Sequence, residues 1–301
     1  MQYSEGNVDE IPSETVEQQL LREEKDIAWY EVDQLCNEVI VNLMNEQNLV
    51  SVSVPVTIVG DIHGNFHDLY RALLARTNSD MIEERTSVKT SLEELTPFYA
   101  NKLQKKFEEV FSWMPLAAVV GEKIFCVHGG ISPHLDSLKD IDKIPRPLLD
   151  VKENILATDL IYSDPLDYEF LHVPKIEPIF EANYLRHAGV LFNEATVEEF
   201  CERTGMKLIV RSHTMIPFGY RLFANRKMIT IFTSTGYKKE RNHGSVMKVD
   251  KDGKIKMINF LPAPLKKKKK KDEKDQENDD TNTKNDSRYS NCSNRCNYHD
   301  I

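Results

Sequence analysis

Three apolar runs of this chain end in the same punctuation. Thr57-Ile58-Val59-Gly60 leads into Asp61-Ile62-His63-Gly64-Asn65, Lys123-Ile124-Phe125-Cys126-Val127 into His128-Gly129-Gly130, and Lys207-Leu208-Ile209-Val210 into Arg211-Ser212-His213. A parallel or mixed α/β sheet collects ligands at the carboxyl ends of its strands, so these groups are placed to converge on one crevice. Asp61 and His63 are two apart, which in extended backbone puts both side chains on one side. The adjacent glycines let the chain turn sharply and leave room for a ligand. A single His at a strand end is more often a structural or surface residue. Three such ends together are a stronger signal. A carboxylate with imidazoles suits Mn, Fe or Zn rather than Ca or a thiolate site, and the chemistry indicated is metal-assisted hydrolysis.

The elements that must hold these groups alternate helix and strand early and run as consecutive strands late, the mark of a mixed α/β protein. Val32, Leu35, Cys36, Val39, Ile40, Leu43 and Met44 follow helical spacing. SVSVPVTIVG (51–60) predicts one buried, β-branched strand. A helix from Phe66 to about Arg76 turns Leu69, Tyr70, Leu73 and Leu74 inward, with Asn65 as its cap. Tyr99, Leu103, Phe107, Val110 and Phe111 predict another amphipathic helix. Strands are expected at 116–120, 123–127, 207–210, 228–232, 245–249 and 254–260. Thr15 with Gln18, and Thr196 with Glu199, have capping-box spacing, the second opening a helix that stops at Gly205. Ser132 to Pro178 holds six prolines and reads as loops with short helices.

The 301 residues are 40% hydrophobic, enough for a proper core, and the formal charge is −9. Residues 266–301 hold 10 basic and 8 acidic groups, so the remainder carries −11. An acidic body argues against nucleic acid as a partner. No apolar run approaches a membrane span, and the polar, acidic start resembles no targeting peptide, so no membrane is expected. Five irregularly spaced cysteines make no disulfide framework, and a cytoplasmic or nuclear setting is the default. The expected organisation is a flexible 1–13, a domain over 14–264 and a disordered charged tail over 265–301. The Lys266–Lys271 run in that tail is either a solvated segment or a basic docking or nuclear-import patch. Cys292, Cys296 and His299 make a poor zinc site.

The motifs GDIHGN (60–65), HGGISP (128–133), RSH (211–213) and TSTGY (233–237) resemble, in order, signatures of the PPP-family serine/threonine protein phosphatases, of type-1 and type-2A kind. IYSDP (161–165) and FGYRLF (218–223) look like further landmarks, and the resemblance spans about residues 30–262. It implies a metallophosphoesterase-like mixed β-sandwich flanked by helices, with two divalent metals, Mn or Fe and Zn. By the same resemblance Asp61 and His63 would hold the first metal, and His128 and His213 the second. Arg186 sits where the family places a phosphate-clamping Arg, the right group for a bidentate grip on a dianion. Tyr237 matches the active-site Tyr, although TSTGY departs from the family's SAPNY.

Two family motifs, GDxVDRG and GNHE, occur nowhere in the chain. With them go the metal-bridging Asp, a second phosphate-binding Arg, an Asn ligand and the general-acid His. The gap falls near 77–96, between RALLAR (71–76) and the helix at 97, and amounts to one strand–helix–strand unit. Asp80, Glu83 and Glu84 lie in it, with no local pattern making them ligands. The resemblance implies an impaired phosphoserine/phosphothreonine phosphatase acting on phosphoproteins. The alternative is an inactive pseudophosphatase that binds regulatory subunits or phosphoproteins. A nucleotide-directed metallophosphoesterase is a third reading, which IYSDP and TSTGY oppose.

Overall fold

Pro55 breaks the run 51–60, because a proline has no N–H to give a central ladder. The computed structural model describes residues 29–74, 97–166 and 177–262. In it the run forms two short strands, β1 (Leu49–Val52) and β2 (Val56–Val59), that enter different sheets. The expectation of one buried strand is therefore corrected, and Val59 is partly exposed as well.

The other strands are β3 (Ala117–Val120), β4 (Ile124–Val127), β5 (Asp164–Pro165), β6 (Phe180–Ala182), β7 (Val190–Phe192), β8 (Leu208–Arg211), β9 (Tyr220–Phe223), β10 (Met228–Ile231), β11 (Gly244–Val249) and β12 (Ile255–Phe260). Among the described residues a six-stranded sheet has the order β1-β3-β4-β8-β10-β9. Its pairs β1/β3, β4/β8 and β8/β10 are parallel. An antiparallel sheet of order β12-β11-β2 faces it, and a small sheet β5-β7-β6 lies apart.

Residues alternate between the two faces of the large sheet, as the pleat requires. Val120, Ile124, Val210, Ile229 and Ile231 pack against Met247 and Val249 of β11, forming the layer between the sheets. Phe125, Val127, Ile209 and Met228 point the other way, into a core with Leu160 of α4 (Ile155–Tyr162) and Phe200 of α5 (Glu194–Thr204). On the outside of the antiparallel sheet, Ala72 of α2 (Phe66–Leu74) packs with Val246 and Phe260. Helices α1 (Trp29–Met44) and α3 (Pro97–Trp113) pack together through Cys36, Ile40 and Val110. The result is the expected mixed β-sandwich with helices outside.

The helices differ from expectation in detail. Leu35 and Met44 of α1, Leu73 of α2 and Phe111 of α3 are exposed rather than inward. Helix α5 begins two residues earlier than Thr196, because the carboxamide oxygen of Asn193 accepts from Thr196 N–H at 2.9 Å and caps it. Asn65 caps α2 as expected, accepting from Asp68 N–H at 3.2 Å. Strands β5, β6, β7 and β9 were not anticipated, being too short or too polar for a period-two signal. The expected helix at Thr15, the 77–96 segment, the lysine-rich tail and its cysteines lie outside the described residues.

Candidate metal and phosphate site

The three punctuated strand ends meet, although β2 belongs to one sheet and β4 and β8 to the other. Asp61 closes the gap between layers through its backbone. Its N–H donates to Ser212 Oγ at 2.8 Å, and its carbonyl accepts from Thr233 N–H at 3.1 Å and Ser234 N–H at 2.8 Å. Thr233 Oγ1 accepts from Gly60 N–H and donates to Ser245 O, pinning the same junction from the next strand. A side chain at Gly60 would stand 2.3 Å from Ile231 O, so only glycine lets the two sheets approach this closely. Gly129 likewise lets the end of β4 approach helix α4, where a Cβ would meet the Ile161 backbone at 2.4 Å.

The side chains that follow form a continuous chain of contacts. Asp61 lies between two imidazoles, Oδ2 at 3.6 Å from His63 Nε2 and Oδ1 at 3.4 Å from His128 Nδ1. His128 Nε2 is 3.1 Å from His213 Nδ1. Asp61 and His63 therefore do meet, but through a turn and not through extended backbone, since His63 has φ 49°. His213 also has a positive φ, 64°. Two non-glycine residues held in the left-handed region within one cluster is the kind of strain that functional sites retain.

The Asp61 carboxylate faces His128 Nδ1, and in the His128–His213 contact one ring nitrogen donates and the other accepts. His213 Nε2 is buried and, among the described residues, has no hydrogen-bond partner. Burial, reinforced by the Arg186 charge, pushes His213 down to about 4. His128 is lowered by loss of water around its ring, partly offset by Asp61. Imidazoles, a carboxylate and an unpartnered buried ring nitrogen are a donor set that fits a divalent transition metal. Among the described residues, however, no three His, Cys, Asp or Glu side chains surround one point as a bound ion would need.

Arg186 joins the cluster, its Nη2 donating to His213 O and its Nε to Asp164 Oδ2, both at 2.9 Å. Tyr237 joins it too, its ring centroid 4.5 Å from that of His63. Six residues singled out in the sequence, Asp61, His63, His128, Arg186, His213 and Tyr237, are thus brought to one place.

Two further groups hold the site together. Arg211, with a fully buried side chain, gives Nε to Gly129 O at 2.6 Å, Nη1 to Thr214 Oγ1 at 2.9 Å and Nη2 to Asp164 Oδ1 at 2.7 Å. Asp164 thus carries two arginines. Burial raises its carboxyl, but the Arg211 charge and the Arg186 hydrogen bond outweigh burial and hold it down at about 2. A signal for both was available. A charge that ends an apolar strand, as in KLIVR, needs a buried partner, and IYSDP supplies one acid directly after helix α4.

Comparison with known proteins is consistent with this geometry. A family model described as calcineurin-like phosphoesterase matches residues 78–217, a range that begins after Asp61 and His63. An uncharacterized protein of Caenorhabditis elegans, C30A5.4, is 31% identical over 222 residues, covering 72% of this chain; the chain spans about half, 54%, of that relative. The serine/threonine-protein phosphatase PP1-delta of the same organism is 27% identical over 264 residues, covering 73% of this chain and 83% of the relative. A solved serine/threonine phosphatase of Saccharomyces cerevisiae, with similarity to human phosphatase PP5, shares the fold. It superposes with a TM-score of 0.65 at 16% identity, covering 84% of this chain and 97% of that one.

Proposed function

We propose that this chain, which carries a calcineurin-like metallophosphoesterase domain of the PPP serine/threonine phosphatase type, binds the phosphate of phosphoserine and phosphothreonine in proteins and hydrolyses it slowly. The observation that carries the reading is the convergence of Asp61, His63, His128 and His213 on one crevice with Arg186 beside them. Asp61 and His63 would hold one divalent metal, and His128 and His213 a second, Mn or Fe and Zn. When bound, such ions would supply Lewis-acid chemistry and activate water at neutral pH.

The chain's own groups do the rest. Asp61, His128 and His213 stand in one line of contacts that keeps the carboxylate and both imidazoles at the same crevice. Asp164 fixes Arg186 through Nε, leaving Nη1 without a protein partner among the described residues and able to donate to a phosphate oxygen. Tyr237 covers His63 on its open side. The GNHE segment, which by the resemblance supplies the histidine that protonates the leaving serine, does not occur in the chain. A general acid is worth about 10² to 10⁴ in rate, and turnover is set lower than in a complete site by that order.

The second reading is a pseudophosphatase that binds regulatory subunits or phosphoproteins in the cytoplasm or nucleus without turnover. The absence of GDxVDRG and GNHE from the sequence favours it. Release of inorganic phosphate from a phosphoserine peptide in Mn²⁺, compared with Asp61→Asn, decides between them. Release that Asp61→Asn abolishes supports hydrolysis. Phosphate-dependent peptide binding without release selects the second reading, and release unaffected by Asp61→Asn overturns the site.

A further inference from the structure

Beyond Tyr237 the same loop displays charge. Lys238, Lys239 and Arg241 are exposed, with Glu240 the one acid among them. These four residues carry a net +2 in a chain whose net charge is −9. Among the described residues none of the three cations is paired with a carboxylate, and Lys238 Nζ lies 5.6 Å over the Tyr237 ring.

The loop is rigidly built. Buried Asn242 accepts from Tyr237 N–H at 2.8 Å and donates to Ser234 O at 2.7 Å and His243 O at 3.0 Å. Glu240 N–H reaches Tyr237 O at 2.9 Å, and buried Asp68 accepts from Thr235 N–H at 2.6 Å. Lys238 and Lys239 are held at φ 49° and 70°, conformations an unconstrained lysine seldom adopts. Unpaired cations on a preorganised loop lose little further freedom on meeting an anion.

We propose that Lys238, Lys239 and Arg241 form a specificity surface for acidic residues flanking the phosphorylated one, so that the preferred ligand is an acidic phosphopeptide. This rests on the reading of the Asp61–His213 cluster as a phosphate site. Tyr237 touches His63, so the strip starts at the edge of that cluster. An extended peptide advances about 3.3 Å per residue, which brings side chains a few positions from the phosphate over the strip. Complementary rim charges set partner choice more than raw affinity.

The test is fluorescence anisotropy of the full chain with four peptides: a phosphoserine peptide flanked by Asp and Glu, the same peptide flanked by Asn and Gln, and the unphosphorylated twin of each. The wild type is expected to prefer the acidic phosphopeptide by about tenfold at low salt, a margin that shrinks as salt screens the contacts. The triple variant Lys238→Gln, Lys239→Gln, Arg241→Gln, with an unchanged melting curve, should lose that margin and keep its affinity for the Asn/Gln phosphopeptide. No preference in the wild type, or one that survives the triple variant, overturns the proposal. If the acidic peptide binds equally with and without phosphate and the triple variant weakens both, the strip stands and the phosphate reading falls. Failure to bind any peptide overturns both.

Discussion

At the scale of single residues, Asp164 is the group on which most depends, because it compensates a fully buried Arg211 while aiming Arg186. Asp164→Asn leaves the buried guanidinium without a counter-charge and is expected to cost about 3 to 5 kcal/mol in urea unfolding at pH 7. The pH dependence has a definite sign. The folded carboxyl at about 2 lies below its ordinary 3.8, so the folded state binds fewer protons there than the unfolded state. The stability this adds, roughly 2 kcal/mol, is fully present above about pH 4 and is lost as the pH falls from there through 2. Urea melts between pH 7 and 2.5 should show this loss in the wild type and a flatter profile in Asp164→Asn. An equally steep profile in both would place the acid sensitivity elsewhere. The partnership could not be located in sequence, since Asp164, Arg186 and Arg211 lie on three separate segments.

At the scale of elements, the junction between sheets is made of small residues and hydroxyls. Gly60→Ala would drive a methyl into Ile231 O, and a loss of about 1 to 3 kcal/mol is expected, or more if β2 is displaced. Addition of Mn²⁺ to that variant should also raise its melting temperature less than it raises the wild type's, since Asp61 follows directly. The start of α5 is a second test. Asn193 caps the helix and also donates to Glu177 O, and the cap alone makes Asn193→Ala about 1 kcal/mol less stable by denaturant titration. An unchanged midpoint would mean that Thr196, which bonds Ile179 O through its hydroxyl, carries the helix start instead. The capping-box spacing at Thr196 misled because spacing cannot tell a cap from a Thr three residues later that bonds sideways. Helical periodicity was reliable for which segments form helices, and less so for Leu35, Leu73 and Phe111, whose exposure depends on where neighbours end.

At the scale of the whole molecule, the candidate site depends on two sheets arriving at one crevice. A metal that binds only the folded state stabilises it by about 2.7 kcal/mol at a hundredfold excess over its dissociation constant. Mn²⁺ should therefore raise the unfolding midpoint of the wild type, and Asp61→Ala and His213→Ala should each reduce bound metal and remove that rise. Stoichiometric binding that survives both substitutions would mean the ion sits elsewhere.

The sequence by itself determined most of the element types, the mixed α/β class and which candidate donor groups stand at strand ends. Strand and helix periods are local, and a carboxylate or imidazole next to glycine at a strand end is legible from neighbours alone. Tertiary structure decided that SVSVPVTIVG is divided between two sheets, that Asp61 reaches His128 across the layer boundary, and that Arg211 and Arg186 share Asp164. Those relations join residues tens to more than a hundred positions apart. Their energy comes from burial and charge compensation that exist only once the sheets have packed, and no local pattern encodes it.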